Sequence, residues 1–397
     1  MALRVGAPAE GDDFFNRKVE RAQLWRVLTA NHVVLTAPRR VGKTSLLKVL
    51  AHEAAAQGLL AIYLDLSPCT DAAALLQAID AALPEATLTA YRKQAAAKVG
   101  EWFARIGKVR LDAGELGGLE IETRPTAPTP WADTAAALRK RLSGQPVLIV
   151  LDEFSVFLQR LLVHDRAQAV TLLSTLRSWR QQSALVCRFI FSGSIGLNRL
   201  LERHGLHTET NDCYDYTLQA FATADAAAML AHFSQREGWP LTDADAQGIC
   251  QRVGWLSPFY LMVVLEESIQ AAMQRLRVAG PCGQALSAAD IDQGFAQLID
   301  ARSRFSHWYR RLDEHFSELD LAFARAALRR IAQRPNGLLE TTLLAPATAA
   351  LAPANQASLQ AETLSMLEEH GYLVLDGQRL MFQSPLLRQY WKKHHGR

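Results

Sequence analysis

The stretch Ala37-Pro38-Arg39-Arg40-Val41-Gly42-Lys43-Thr44-Ser45 constrains this chain more than any other. It follows a short apolar, β-branched run, residues 32–36. It precedes residues 44–57, where Leu46, Leu47, Val49 and Leu50 recur at helical spacing until Gly58. A strand that turns through a basic, glycine-containing loop into a helix gathers backbone N–H groups and a helix N-terminus at one point. That is a cradle for phosphate oxygens. Lys43 is then placed to reach the β- and γ-phosphates, and the Thr44 hydroxyl to meet Mg²⁺. Ala37 stands where glycine is usual, and a Cβ disfavours positive φ.

A second run, Val147-Leu148-Ile149-Val150-Leu151-Asp152-Glu153, reads as an apolar strand ending in two acids. A carboxylate at the C-terminal edge of a parallel strand faces the ligand crevice of an α/β sheet. Asp152 can hold Mg²⁺ there, directly or through water, and Glu153 can polarise an attacking water. A third apolar run, Arg188-Phe189-Ile190-Phe191, ends in Ser192-Gly193-Ser194. Next to the Asp152 strand, Ser192 or Ser194 would sense the γ-phosphate or its water.

The rest of the chain supplies the frame. Residues 59–66 read as a strand, and Asp71 as the N-cap of a helix over 72–83 that Pro84 ends. Residues 88–106 are helical in period. Over 108–122, Val109 and Leu111, then Leu119 and Ile121, alternate around a glycine-rich turn and predict a hairpin. Residues 123–130 form a proline-bearing linker, followed by a helix over 131–142, a strand over 146–151, a helix over 165–182 and a strand over 185–191. Apolar strands alternating with helices predict an α/β fold, a parallel sheet sandwiched by helices. From Phe221 to about Ile299 only helical periods appear. The last hundred residues read as helix, helix and hairpin, with strands at 372–375 and 378–382 about Asp376-Gly377, a type I′ signal. That pattern suggests a winged helix. The Ala/Pro-rich segment 345–357 reads as a mobile connection. The expected domains are thus 1–220, with a hairpin insertion at about 107–130, a helical lid at 221–300 and a winged helix at 301–397.

Composition excludes several function classes. With 397 residues, 49% hydrophobic and 21% charged, the chain is globular and long enough for two or three domains. A net charge of +3 does not mark the whole protein as a nucleic-acid binder, so such a role needs a local patch. The segment from Gly377 to Arg397 has no acid and carries Arg379, Arg388, Lys392, Lys393 and Arg397. It can meet DNA phosphates, or it is a solvated tail beside a wing that contacts protein. No apolar run approaches the roughly 18 residues that span a bilayer, and no secretory signal is readable, so no membrane role is expected. Cys69, Cys187, Cys213, Cys250 and Cys282 are scattered without a Cys-x-x-Cys pair, which fits reduced thiols, a cytoplasmic protein and no zinc site. His394 and His395 read as solvated.

The upstream motif Phe14-Phe15-Asn16-Arg17-Lys18-Val19-Glu20, the phosphate loop Pro38 to Ser45, the Asp152-Glu153 strand, Phe191-Ser192-Gly193-Ser194-Ile195-Gly196 and Gly254-Trp255-Leu256-Ser257-Pro258-Phe259-Tyr260-Leu261 together resemble the STAND branch of AAA+-type P-loop ATPases, within its archaeal-ATPase-like clade. The resemblance covers about residues 14–300. It implies a five-stranded parallel sheet, a helical lid and a winged helix, with ATP or ADP and Mg²⁺ as cofactors. It further implies that Asn16 and Arg17 lie near the base or sugar and that Pro258 packs on the adenine. Asn16 stands where glycine is commoner. Pro258 also suits the first turn of a helix. Members of the branch are ATP-driven switches that often assemble on activation. Some serve in defence or mobile elements, and they are usually encoded beside their effector. An unknown protein effector and an ATP-dependent homo-oligomer are the implied partners. For an arginine finger Arg177, Arg180, Arg199 and Arg203 all stay open.

The first reading is therefore a Mg²⁺-dependent ATPase switch in which Glu153, Lys43 and Ser194 serve catalysis. The alternatives are a DNA-binding winged-helix regulator with nucleotide as a structural ligand, and a loader subunit of a transposition or defence complex activated by its partner.

Overall fold

The computed structural model describes residues 3, 5–83, 131–182, 186–194, 196–279, 285–316, 318–344 and 353–396. The expected helix at 88–106, the hairpin at 108–122, the linker at 123–130, Cys282 and Arg397 lie outside these residues. Internal contacts divide the chain into two compact units, one of Arg17–Ala37 and Thr44–Leu218, the other of Met1–Asn16, Pro38–Lys43 and Gln219–Arg397.

The first unit is built on a five-stranded parallel sheet. Helix α1 (Lys18–Leu28) leads to β1 (His32–Thr36), α2 (Lys43–Glu53), β2 (Leu60–Asp65), α3 (Ala72–Ala81), α4 (Ala132–Leu142) and β3 (Val147–Asp152). Then come α5 (Phe154–His164), α6 (Arg166–Gln181), β4 (Cys187–Ser192), α7 (Leu197–Arg203) and β5 (Cys213–Thr217). The strand order is β2-β3-β4-β1-β5, and every pairing is parallel. Burial explains the apolar runs: every residue of β3 is buried, and Phe154, Phe189 and Phe191 stack beside it with ring centroids 4.9 and 5.6 Å apart. The helix starts follow ordinary capping chemistry. The carboxylates of Asp71 and Asp165 each accept a backbone N–H three residues on, from Ala74 and Gln168, both at 2.9 Å. At the other end of α1, Arg188 donates to the carbonyls of Leu28 and Thr29 at 3.0 and 3.1 Å, as cations do at helix C-termini.

Four elements of this unit are absent from the sequence reading: α1, α5, α7 and β5. Helix α5 starts at once after Glu153, in a stretch to which the sequence reading assigned no element. Strand β5 pairs with β1 from His32↔Cys213 to Thr36↔Thr217. It is an edge strand with Tyr214 and Asp215 exposed, so it lacks the apolar run that marks its neighbours. Arg180, kept open as a finger, is an internal residue. It donates to both Asp212 carboxylate oxygens at 2.8 and 2.9 Å, with its side chain only 1% exposed.

The second unit carries α8 (Thr223–Arg236), α9 (Asp243–Val253), α10 (Pro258–Ala279), α11 (Ala288–Asp300), α12 (Arg302–His315) and α13 (Glu318–Ala332). These are followed by β6 (Leu338–Leu339), α14 (Glu340–Leu343), α15 (Pro353–Glu369), β7 (Leu373–Asp376), β8 (Arg379–Phe382) and α16 (Pro385–His395). Helix α11 opens on a reciprocal capping box between Ser287 and Asp290, and Arg275 grips the same Asp290 with two 2.9 Å bonds. Gly294 is needed where α11 crosses α10, because a Cβ there would stand 2.7 Å from the Ser268 nitrogen. The aromatic core joins Tyr260, Phe305, Trp308, Tyr372, Tyr390 and Trp391, all buried.

Several expectations for the C-terminal part are corrected. The hairpin pairs Asp376 with Arg379, so its turn residues are Gly377 and Gln378, one position later than Asp-Gly. Of these only Gly377 has positive φ, +60°, whereas a type I′ turn needs it at both. A third strand, β6, completes the order β6-β8-β7. The segment 345–352 lies outside the described residues, but 353–357 begin α15. The tail is not solvated. Helix α16 buries Leu386, Leu387, Tyr390 and Trp391, His394 Nε2 lies 2.8 Å from the Ile299 carbonyl, and His395 stacks on Tyr309 at 4.0 Å.

Candidate functional site

The phosphate loop departs from a plain turn at two places. Arg40 and Gly42 have φ of +70° and +91°. Left-handed residues of this kind turn successive N–H groups to one side, as in anion-binding nests. Ala37 has no positive φ, so the methyl group where glycine is usual carries no backbone penalty here. A left-handed arginine costs about 1–2 kcal/mol, and contacts within the second unit hold it. Its carbonyl accepts the Ser257 hydroxyl at 2.6 Å, its guanidinium lies 4.4 Å from the Phe259 ring centre, and it donates to the Gly6 carbonyl at 3.0 Å. Burial, then the neighbouring Arg39, lowers the Arg40 pKa. Pro38 stands 3.2 Å from where a Cβ on Gly371 would lie. Val41 and Lys43 are buried, and Lys43 is the first residue of α2. Pro258 is the first residue of α10, and its Cγ is the nearest atom, at 3.9 Å, to a Cβ built on Gly42.

Asn16 and Arg17, expected near the nucleotide, are consecutive left-handed residues with φ of +59° and +63°. Asparagine tolerates this region through its short polar side chain, which explains how it replaces a glycine. Asn16 Nδ2 donates to Asp225 at 2.6 Å, and Arg17 pairs with Glu20 at 2.5 Å.

In the sheet unit, the parallel register sets Asp152 opposite Asp65 and brings Thr36, Asp65, Asp152 and Ser192 to the same C-terminal edge. The Asp152 carboxylate, only 2% exposed, is saturated with donors. Oδ2 accepts Thr44 Oγ1 at 2.8 Å and the Tyr63 hydroxyl at 3.1 Å. Oδ1 accepts Ser192 Oγ at 2.9 Å and the Glu153 N–H at 3.0 Å. Glu153 is left-handed, φ +56°, which swings its side chain out of the strand direction. Its Oε2 accepts both the N–H and the hydroxyl of Ser194, at 3.1 and 2.9 Å. Ser45, beside Thr44, is buried. Of the two candidate sensor serines, Ser192 thus belongs to Asp152 and Ser194 to Glu153. Gly193 lets them do so: a Cβ there would fall 1.8 Å from Ser155 Oγ at the start of α5.

Thr44 and Asp152 offer hydroxyl and carboxylate oxygens 2.8 Å apart, the donor chemistry of a hard divalent cation. Among the described residues no cluster of three His, Cys, Asp or Glu forms a metal cage. That suits Mg²⁺, which is usually held by one or two protein oxygens together with substrate phosphates. Sequence reasoning missed Tyr63, Gly193, Ser257 and Asp225. Only Gly193, set between two serines at a strand end, carries a local signal of close approach.

The whole architecture is similar to that of the Walker-type ATPase of Pyrococcus abyssi, with a TM-score of 0.63 at 15% identity over 99% of this chain and 100% of that one. The fold is a P-loop α/β fold. It is also similar to the ORC2 protein of Aeropyrum pernix, determined as ADPNP-ADP complexes, with a TM-score of 0.53 at 14% identity over 96% and 94% of the two chains. No protein-family model matches the chain, and no curated protein does. Within this fold, the loop after β1 and the acidic end of β3 each carry candidate functional residues. No helix among the described residues is long and apolar enough to cross a membrane.

Proposed function

We propose that the protein binds ATP with Mg²⁺ and hydrolyses it, and that the nucleotide state switches assembly or engagement of a protein partner. One observation carries the reading: Thr44, Asp152 and Ser192 form a single hydrogen-bonded set, and the next residue, Glu153, is held by Ser194. The N–H groups of Arg39 to Thr44 and the Lys43 ammonium hold the phosphates. Asn16, Arg17 and Pro258 serve the base and sugar. Thr44 and Asp152 are the residues that would hold Mg²⁺, which when bound neutralises charge on the phosphates. Glu153, with one oxygen tied to Ser194, offers the other to a water. The water oxygen attacks the γ-phosphorus, the bond to the β–γ bridging oxygen breaks, and the water's proton passes to the Glu153 carboxylate. Inorganic phosphate and ADP leave. A lid over 221–300, a winged helix over 301–397 and an effector encoded nearby, in a defence or mobile-element setting, complete the proposal.

The DNA-binding alternative loses ground on two observations. Helix α15, which precedes the hairpin in the position a winged helix uses to read the major groove, contains Glu362, Glu368 and Glu369 and no Lys or Arg. The basic residues around the hairpin are largely engaged internally. Arg379 donates to the carbonyls of Asn336 and Gly337, both at 3.4 Å, Arg388 donates to that of Ala332 at 3.2 Å, and Lys393 pairs with Asp300.

ATP turnover by the wild type and Glu153→Gln tests the reading. The variant keeps wild-type ATP affinity and loses about 100-fold or more in turnover, the usual worth of a general base. Undiminished turnover removes Glu153 from the role. Wild-type turnover that appears only with duplex DNA moves the protein to the DNA-acting alternative.

A further inference from the structure

The strand β2 contributes a residue to the acidic strand end that no local pattern marks. Tyr63 lies opposite Val150 in the β2–β3 register, two residues short of the Asp65↔Asp152 pair. Its hydroxyl nevertheless reaches Asp152 Oδ2 at 3.1 Å. That oxygen is the one Thr44 also donates to. The other acid within reach, Asp65, is already engaged, with Oδ1 accepting the N–H and hydroxyl of Ser67 at 2.9 and 2.6 Å. We propose that Tyr63 is a positioning residue for Asp152, fixing the carboxylate that receives Mg²⁺ with the nucleotide. This rests on the nucleotide reading above.

The supply of donors to Asp152 sets the role of Tyr63. A carboxylate has about four lone-pair positions, and Asp152 fills them from Thr44, Tyr63, Ser192 and the Glu153 N–H. Of the two donors on Oδ2, Thr44 is the one a cation would recruit through its oxygen. The Tyr63 phenol is then the donor that keeps Oδ2 in place. A phenylalanine fills the same space without the proton. If Tyr63 only packs against its neighbours, Phe is neutral. If it positions Asp152, Phe weakens the metal-dependent part of nucleotide binding alone.

Full-length wild type and Tyr63→Phe are titrated with a fluorescent ATP analogue, first in EDTA and then across a Mg²⁺ series. Mn²⁺ binding in the presence of a non-hydrolysable analogue is read in parallel by electron paramagnetic resonance. The expected result is metal-free affinity within about twofold of wild type and a roughly tenfold higher Mg²⁺ or Mn²⁺ requirement, as for outer partners of metal ligands. An unchanged metal requirement overturns the proposal, and so does an equal loss with and without metal, which is the mark of a structural role. A wild type that binds no nucleotide under any condition removes the nucleotide reading itself and this inference with it. A wild type that binds with a clear Mg²⁺ dependence, beside an unmoved variant, removes Tyr63 alone.

Discussion

Gly193 shows how closely the residues of the site depend on one another. Its missing side chain leaves room for Ser155, which is fully buried, and a methyl group would stand 1.8 Å from Ser155 Oγ and 2.8 Å from its Cβ. Gly193→Ala is therefore expected to destabilise the chain by about 1–3 kcal/mol, the usual cost of overpacking. It should also lower ATP turnover, since Ser192 and Ser194 flank the displaced backbone. Chemical denaturation and a turnover assay check both, and an unmoved midpoint with normal turnover would show that the strand end has slack. Lys43, Thr44, Asp152 and Glu153 could be singled out in the sequence because each stands at a fixed place beside a strand end. Tyr63 and Ser257 were not, because their partners, Asp152 and the Arg40 carbonyl, lie 89 and 217 residues away in the chain. Ala37 was suspect by pattern, but the left-handed turn falls on Arg40 and Gly42 instead.

At the scale of elements, burial decided what could be read. Strands β1, β3 and β4 are apolar because helices cover both faces of the sheet, and their runs stand out from the surrounding polar sequence. Strand β5 has one neighbour and an exposed pattern, so Cys213 to Thr217 carries too few apolar residues to declare itself. Helix α5 was hidden for a different reason: the acids of Asp152-Glu153 mark a strand end and obscure the helix that starts at the next residue. The short β6 depends on pairing with β8, Leu338 against Leu380, and two residues have no period of their own. The C-terminal helix was mistaken for a tail because its charges were counted before its apolar face. Leu386, Leu387, Tyr390 and Trp391 recur at helical spacing and are all buried.

The molecule as a whole should be sensitive to mild acid. Burial first, with Arg188 and Arg180 next, lowers His32 to about 4. Its Nδ1 accepts the Phe189 N–H at 3.2 Å, which keeps the ring neutral. Burial also lowers His395 to about 4 and His307 to about 3, the latter with help from Arg40. In the unfolded chain each would titrate near its ordinary 6.5. Between about 6.5 and 4 the unfolded state thus binds more protons, so stability is complete above 6.5 and is lost as pH falls. Glu266, raised by burial, works in the opposite direction, and three histidines outweigh it. Thermal melts should shift downward from pH 7 to pH 5, and a flat profile over that range would contradict the buried neutral rings. The fold class was legible at this scale because alternation of strand and helix needs no knowledge of contacts. The division into units was not, since Pro38–Lys43 groups with Gln219–Arg397 through contacts that no local pattern announces. Whether the loop after β1 holds the phosphates of ATP is read by calorimetric titration of Mg²⁺ and ATP into wild type and Lys43→Ala. A saturable exothermic isotherm is expected for the wild type and no measurable binding by the variant at the concentrations that saturate it, whereas equal affinity in the two proteins would contradict the assignment of Lys43 to the phosphates.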